Sequence, residues 1–127
     1  MSDAIDRRPP VAVGHVQLAV VDVGAAALWL ERVGLRPIVT IDDLAVLELR
    51  GGTHVVVRHA ATPPERGAGA PFDLMVDDID GAHRDYVAKG LAPSAVRRGQ
   101  IHDSFDLAGP DGWKFTVNSS HAGGRPV

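Results

Sequence analysis

The sequence predicts an α+β domain built from two consecutive βαβββ units in a chain of 127 residues. Three observations predict this fold class: an internal repeat at a constant spacing, an aspartate in each copy suited to capping a helix, and three extended segments after each helix. A chain of this length, 45% hydrophobic and 23% charged, can bury one hydrophobic core. We therefore expect a single domain over residues 1–127.

The internal repeat joins VVDVGAAALWLERVGLRP, which starts at Val20, to VDDIDGAHRDYVAKGLAP, which starts at Val76. Identical residues recur at a spacing of 56 positions, and they are Val20 and Val76, Asp22 and Asp78, Gly34 and Gly90, Leu35 and Leu91, and Pro37 and Pro93. The matches also agree in structural role, which favours a duplicated supersecondary unit over chance.

The first unit begins with the apolar strand VGHVQLAVVDV. Asp22 can accept hydrogen bonds from the first free N–H groups of a helix over about residues 23–33, and Gly34 can adopt the left-handed conformation that ends it. Extended segments follow at 38–41 (IVTI), 44–50 (LAVLELR) and 54–59 (HVVVRH). Residues 11–60 therefore form the first predicted unit.

The second unit repeats this order over about residues 71–118. Asp78 is the predicted cap of a helix over about 79–89, and Gly90 is its predicted end. The extended segments are SAVRR (94–98), IHDSFDL (101–107) and WKFTV (113–117). Residues 61–70, which include ATPPERGAG, are a predicted exposed linker, and residues 119–127 are a predicted flexible tail.

Composition excludes several function classes. Thirteen basic against sixteen acidic residues give a net charge of -3, without the basic stripe typical of nucleic-acid binding. The chain has no cysteine, so disulfides and thiolate metal sites are excluded. Its apolar runs are too short to cross a bilayer. We expect no nucleic acid or membrane partner and a cytoplasmic location.

Strand alternation separates a core-facing set from a set that faces the other side of each sheet. Histidines interleaved with Ala, Val and Met on the second set favour a ligand pocket, although a solvated sheet face gives the same alternation. Arg58 is a candidate for holding an anionic group, or for pairing with Asp73 or Glu48. The predicted ligand-binding residues are His15, Gln17, Glu48, His54, Val56, Arg58, Asp73, Met75, Lys114 and Thr116.

Three histidines are candidates for a general base, because imidazole titrates near neutral pH. They are His15, His54 and His102. We expect His59, His83 and His121 to be surface residues, and Trp29 and Trp113 to belong to the core.

The two βαβββ units, the His15-to-Asp22 spacing, the Val-Asp-Asp-Ile-Asp of the second unit and Gly-Pro-Asp-Gly before the last strand together carry a family resemblance. The chain resembles the vicinal oxygen chelate (VOC) superfamily of glyoxalases, bleomycin-resistance proteins and extradiol dioxygenases. The resemblance implies that two mixed sheets curl into an open cup that holds the ligand. It also implies a homodimer, because a second chain often completes the cup.

The resemblance also identifies the positions where metalloenzymes of this superfamily hold their ion. His15 matches the first position, whereas Val56, Pro71 and Thr116 stand at the other three. Valine and proline offer no side-chain donor, and a catalytic site needs about three protein ligands. We expect no metal cofactor there. A displaced set of His15, His54 and Glu48 is the alternative.

The predicted function is metal-independent binding of a small organic molecule in the cup, as resistance proteins of this superfamily sequester their drug. The alternative is an enzyme, a glyoxalase-like lyase, an isomerase or a dioxygenase, with a displaced metal or a metal-free histidine base. A third possibility is a structural or regulatory module whose cup is filled by side chains. The sequence does not decide whether a reaction is catalysed.

Overall fold

A computed structural model describes residues 5–120 and 125 of the chain. In chain order its helices and strands are β1 (His15–Val20), α1 (Val23–Val33), β2 (Arg36–Ile41), β3 (Leu44–Glu48), β4 (His54–His59), β5 (Leu74–Val76), α2 (Ile79–Ala88), β6 (Ser104–Ala108) and β7 (Lys114–Ser119). Short 3₁₀ turns at Arg50–Gly52 and Pro110–Gly112 precede β4 and β7.

The strands form two mixed sheets, one for each unit. The first sheet has the order β1-β4-β3-β2, and the second has the order β5-β7-β6. In each unit the strand before the helix runs parallel to the last strand, and the remaining pairs are antiparallel. The predicted α+β class and the two-unit architecture are confirmed.

Both helices begin at the predicted aspartates. A side-chain oxygen of Asp22 accepts a hydrogen bond from the Ala25 N–H at 3.0 Å, and Asp78 does the same for Gly81 at 3.0 Å. Gly34 and Gly90 have positive φ angles of 131° and 74°, which glycine adopts without a Cβ clash. The sequence predicted both helices to within one residue.

The second unit differs from the prediction at residues 94–98, which do not form a regular strand. Arg97 makes one isolated bridge with Ser104, and the Ser94 N–H donates to the Asp106 carbonyl at 2.9 Å. The Asp106 N–H, however, donates to the Ser94 hydroxyl at 2.8 Å. A side chain therefore takes the place of a backbone acceptor and interrupts the ladder.

Ile101 is a second difference. Alternation with Phe105 and Leu107 puts Ile101 on the packed side of the predicted segment 101–107, but β6 begins at Ser104 and Ile101 is 75% exposed. The alternation rule fails here because Ile101 lies in the turn before the strand.

One hydrophobic core unites both units. The buried residues include Leu18, Leu30 and Leu47 from the first unit and Phe105 and Phe115 from the second. The Phe115 ring contacts Trp29 of α1 at a centroid distance of 5.1 Å and Phe72 at 5.5 Å. The predicted packing role of Trp29 is therefore confirmed.

Hydrogen bonds between distant parts of the chain also join the units. The Tyr86 hydroxyl donates to the Val33 carbonyl at 2.7 Å, and the Trp113 indole N–H donates to the Ala19 carbonyl at 2.9 Å. Asp111 accepts from the Val21 N–H at 2.6 Å. These bonds fix the end of β1 and the end of α1 against the second unit.

The unit boundaries are less sharp than the sequence indicated. Within the predicted linker, Ala68 accepts a bond from the Lys114 N–H at 2.8 Å, and the Ala70 N–H donates back at 2.9 Å, so the linker's end pairs with β7. At the other boundary β7 runs to Ser119, and the Ser120 N–H donates to Val76 at 2.8 Å. His121 and most of the predicted tail lie outside the described residues.

In the described part of the chain, neither helix has the length and apolar character needed to cross a lipid bilayer.

Candidate functional site

The side of the first sheet away from α1 is the main candidate surface, and we call it the first-sheet face. The register of the four strands places twelve side chains on it, and Ala45, Leu47, Val55 and Val57 are buried on the opposite side. The face consists of Arg36, Val39, Ile41, Leu44, Val46, Glu48, His54, Val56, Arg58, His15, Gln17 and Ala19.

These residues form three rows across β2, β3, β4 and β1. The first row is polar and contains Arg36, Glu48, His54 and His15; the middle row contains Val39, Val46, Val56 and Gln17; the third contains Ile41, Leu44, Arg58 and Ala19. Val56 in the centre is only 8% exposed. The face therefore has an apolar centre with polar groups at its ends, a composition typical of small-molecule sites.

The polar row brings together the histidines and the carboxylate that the sequence singled out. The rings of His15 and His54 lie 5.9 Å apart between centroids, and Glu48 Oε2 lies 3.5 Å from His54 Nε2. Glu48 also forms an ion pair with Arg36, which the sequence did not predict. The Arg36 guanidinium thus engages the Glu48 carboxylate, which a displaced metal ion would need as a ligand.

Arg58 pairs with neither Asp73 nor Glu48. Its Nε donates to Gln17 Oε1 at 3.0 Å. Within residues 5–120 and 125, no carboxylate lies within ion-pair distance of Arg58. Gln17 therefore orients the guanidinium group without neutralising it.

The corresponding side of the second sheet, the second-sheet face, carries Met75, Ser104, Asp106, Ala108, Lys114, Thr116 and Asn118, and Asp73 precedes β5 beside Asn118. Its polar groups bind one another: Asn118 donates to Asp73 at 2.8 Å, and Thr116 donates to Asp106 at 3.0 Å. A cavity of about 370 Å³ lies here, lined by Asp73, Lys114 and Thr116 among others. This face lacks the apolar centre of the first.

The hydrogen bonds from Arg97, with a further contribution from Thr116, lower the pKa of Asp106 below its usual value of 3.8. A lowered folded-state pKa stabilises the fold above the unfolded-state pKa, and this contribution disappears as the pH falls through the folded-state value. We expect Asp106→Asn to cost about 0.5–1 kcal/mol at pH 7, since the pair is partly solvated, and progressively less as the pH falls below 3.8.

Urea unfolding of both proteins between pH 7 and pH 2 measures this difference. Asp43→Asn, in the turn between β2 and β3, is the control because no ion pair in the described part of the chain involves Asp43. A cost for Asp106→Asn that stays constant down to pH 2 would contradict the assignment.

A third surface lies between the two units. A mostly apolar cavity of about 550 Å³ is lined by residues of both, including Val13, Val16, Leu49, Phe72 and Met75. Arg50 is at its edge, but its guanidinium makes a two-pronged ion pair with Asp77 at 3.1 and 3.2 Å. Of the predicted ligand residues, Asp73 and Met75 line this cavity.

The other three histidines of the described residues, His59, His83 and His102, each bond to a backbone carbonyl. His102 Nδ1 donates to Ser119 at 2.9 Å, so this candidate base lies beside the second sheet, whereas His15 and His54 lie on the first. His59 is exposed, as predicted. His83 is partly buried, because its Nε2 donates to Ser94 at 2.9 Å and its ring packs edge-on against Phe105.

The residues at the superfamily's metal positions do not fit a metal ion. Val56 and Pro71 have no donor atom, and the Thr116 hydroxyl is bonded to Asp106. Elsewhere among the described residues, no three His, Asp or Glu side chains are arranged to hold a metal ion, and this includes His15, His54 and Glu48. Neither set provides the roughly three ligands that a catalytic metal site needs.

Sequence reasoning missed five residues of the first-sheet face: Arg36, Val39, Ile41, Leu44 and Val46. Alternation along β3 alone could have identified Leu44 and Val46, since they share a side with Glu48. The β2 residues could not be assigned, because a register shift between Pro37 and Val39 changes which side chains face which way.

No family model matches the chain, and no curated protein matches it. Several solved structures, however, match the chain. A lactoylglutathione lyase from Agrobacterium tumefaciens is 18% identical with a TM-score of 0.71, over 89% of this chain and 96% of that chain. TnmS3, an antibiotic binding protein from Streptomyces sp. CB03234, is 19% identical with a TM-score of 0.72, over 86% of this chain and 95% of that chain.

A bleomycin resistance determinant encoded on the transposon Tn5 is 17% identical with a TM-score of 0.70, over 87% of this chain and 99% of that chain. These similarities extend over nearly the whole length of both chains. At such low identity they show a shared fold, and a fold hosts several functions.

Proposed function

We propose that this chain, which has the fold of the vicinal oxygen chelate superfamily, binds a small organic molecule on its first-sheet face without a metal ion. The observation that carries the proposal is the arrangement of that face, where Val39, Val46 and Val56 form an apolar centre between polar groups. Apolar area removed from water contributes about 25 cal/mol per Å², so this centre supplies affinity while the polar ends orient the guest.

Sequestration of a drug-like molecule is the form of binding that we favour. Two of the similar structures are a bleomycin resistance determinant and an antibiotic binding protein, which supports this form. The metal positions of the fold support it as well, because Val56 and Pro71 lack donors. Sequestration requires only binding and therefore no catalytic group.

A test uses N-phenyl-1-naphthylamine, a neutral dye that fluoresces on entering an apolar site. We expect the wild-type protein to bind it equally before and after treatment with EDTA. Ile41→Asp, on the first-sheet face, should weaken binding at least tenfold, because a carboxylate replaces apolar contact area. Val87→Asp on α2 is the matched control, since Ile41 and Val87 are both 56% exposed.

Equal binding by the wild type and Ile41→Asp would contradict the proposed location. Metal analysis of protein purified without a chelator tests the other half of the proposal. About one transition metal per chain, together with loss of dye binding in EDTA, would contradict metal independence.

The alternative function is a metal-free lyase or isomerase with a histidine base, and one observation favours it. Glu48 lies 3.5 Å from His54, so a carboxylate can orient the imidazole as in many acid–base pairs. A turnover that survives EDTA and disappears in a folded His54→Gln variant would support this function over sequestration. Turnover that is unchanged in both His15→Gln and His54→Gln would exclude these histidines as bases.

We further propose that two copies of the chain form a homodimer. The first-sheet face is open on one side, and β2 is exposed along its whole length with Ile38 and Ile41 on its surface. Exposed edge strands with apolar side chains are usually covered in natural proteins. Sedimentation equilibrium would contradict the proposal if it gave the mass of one chain.

The absence of cysteine supports a cytoplasmic location.

A further inference from the structure

We propose that the guest of the first-sheet face is an elongated organic anion whose carboxylate or sulfonate binds Arg58. This inference rests on the proposed function and adds the chemical class of the ligand. It is carried by the charge distribution on the face and by the distance between its polar ends.

Arg58 is one of the arginines of the described residues whose charge is not paired with a carboxylate. Five others form ion pairs with carboxylates: Arg8, Arg36, Arg50, Arg97 and Arg98. Arg58 is exposed, and only its Nε is engaged, by the neutral Gln17 side chain at 3.0 Å. Its terminal amino groups are left to form the fork that binds a carboxylate or sulfonate.

Gln17 has the role of a positioning residue. Its Oε1 accepts the Nε–H bond at 3.0 Å, and this bond restrains the guanidinium plane before a ligand arrives. Restraint of a long side chain reduces the entropy that binding would otherwise cost. The neighbouring strands place Leu44 and Ala19 beside Arg58, so apolar contact area for the guest adjoins the charged group.

The other end of the face does not compete for the anionic group. There Arg36 is neutralised by Glu48, and the same carboxylate lies 3.5 Å from His54. His15 and His54 can instead form hydrogen bonds with a polar group. His54 and Arg58 are four residues apart on β4, which corresponds to about 13 Å at 3.3 Å per residue. The guest that contacts both ends has an apolar body of about this length.

The test compares two dyes with the same aromatic framework. 8-Anilino-1-naphthalenesulfonate carries a sulfonate, and N-phenyl-1-naphthylamine lacks it. We expect Arg58→Gln to weaken the sulfonated dye about tenfold and to change the neutral dye less than twofold, because only the ionic contact is removed. Arg58→Lys should retain part of the affinity, since it keeps the charge without the fork.

Arg84→Gln on α2 is the matched control, because it removes the same charge from an exposed position away from the face. Chemical shift changes of the Gln17, Val56 and Arg58 amides check that the sulfonated dye binds on the first-sheet face. The urea midpoint of each variant checks that it is folded.

Three results would overturn the inference. Unchanged binding of the sulfonated dye by Arg58→Gln, or equal weakening by Arg58→Gln and Arg84→Gln, excludes a specific role for Arg58. Equal weakening of both dyes by Arg58→Gln excludes an ionic contact. In these cases the neutral dye still binds the wild type, so the proposed function survives; if neither dye binds the wild type, both proposals fail.

Discussion

Phe115→Ala is expected to lower the free energy of unfolding by about 3–5 kcal/mol, the typical cost of truncating a buried aromatic residue. Phe115 is fully buried and lies where the two units meet. Its ring contacts Trp29 of the first unit and Phe72 of the second. Truncation leaves a cavity that neither sheet can close alone, so the cost should lie near the upper end of this range.

Urea unfolding measures the effect, and two further variants make it interpretable. Phe115→Leu should cost about 1–1.5 kcal/mol, which keeps the protein folded if the alanine variant is not. Leu28→Ala, at a position on α1 that is 65% exposed, should change the stability by less than about 0.5 kcal/mol. A similar loss for Leu28→Ala and Phe115→Ala would contradict the assignment of a shared core.

Local chemistry explains which parts of the fold were predictable. Asp22 and Asp78 cap their helices, and Gly34 and Gly90 end them, because these roles depend only on residues three or four positions apart. Residues 94–98 were less predictable. Their pairing with β6 depends on the Ser94 hydroxyl meeting the Asp106 N–H, a contact between residues that are distant in sequence.

The candidate site was predictable in part for the same reason. Alternation identified the sides of His15, Gln17, His54 and Arg58, since side-chain direction follows from position along a strand. Alternation does not give the register between strands. The pairing of Arg36 with Glu48, and of Arg58 with Gln17 in place of an acidic residue, therefore required the structure.

The Gly-Pro-Asp-Gly turn before β7 shows how packing can determine a motif residue. The first position is Gly109, where the superfamily pattern that the sequence resembles usually has aspartate. Gly109 has φ of -96° and ψ of -167°, an extended conformation open to any residue. A Cβ built on it would lie 2.6 Å from Cε2 of Phe115 and 3.3 Å from the Trp113 carbonyl oxygen. The buried ring, and not the backbone conformation, therefore requires glycine here.

Gly109→Ala is therefore expected to destabilise the protein by about 1–3 kcal/mol, the usual cost of overpacking a core. The reduced entropy of the unfolded chain offsets only about 0.4–1 kcal/mol of this. Gly14→Ala is the control, since its Cβ would meet no atom within 4 Å, and it should be neutral or slightly stabilising.

A double-mutant cycle identifies the clash as the cause of this loss. Phe115→Leu replaces the ring with a smaller side chain, so Gly109→Ala should cost less stability in the Phe115→Leu protein than in the wild type. We expect a difference of at least about 0.5 kcal/mol, which is about the smallest coupling expected of residues in contact. Urea unfolding of the four proteins gives the coupling. Strict additivity of the two losses would mean that Phe115 does not exclude a side chain at Gly109, and the packing explanation for the glycine would then be wrong.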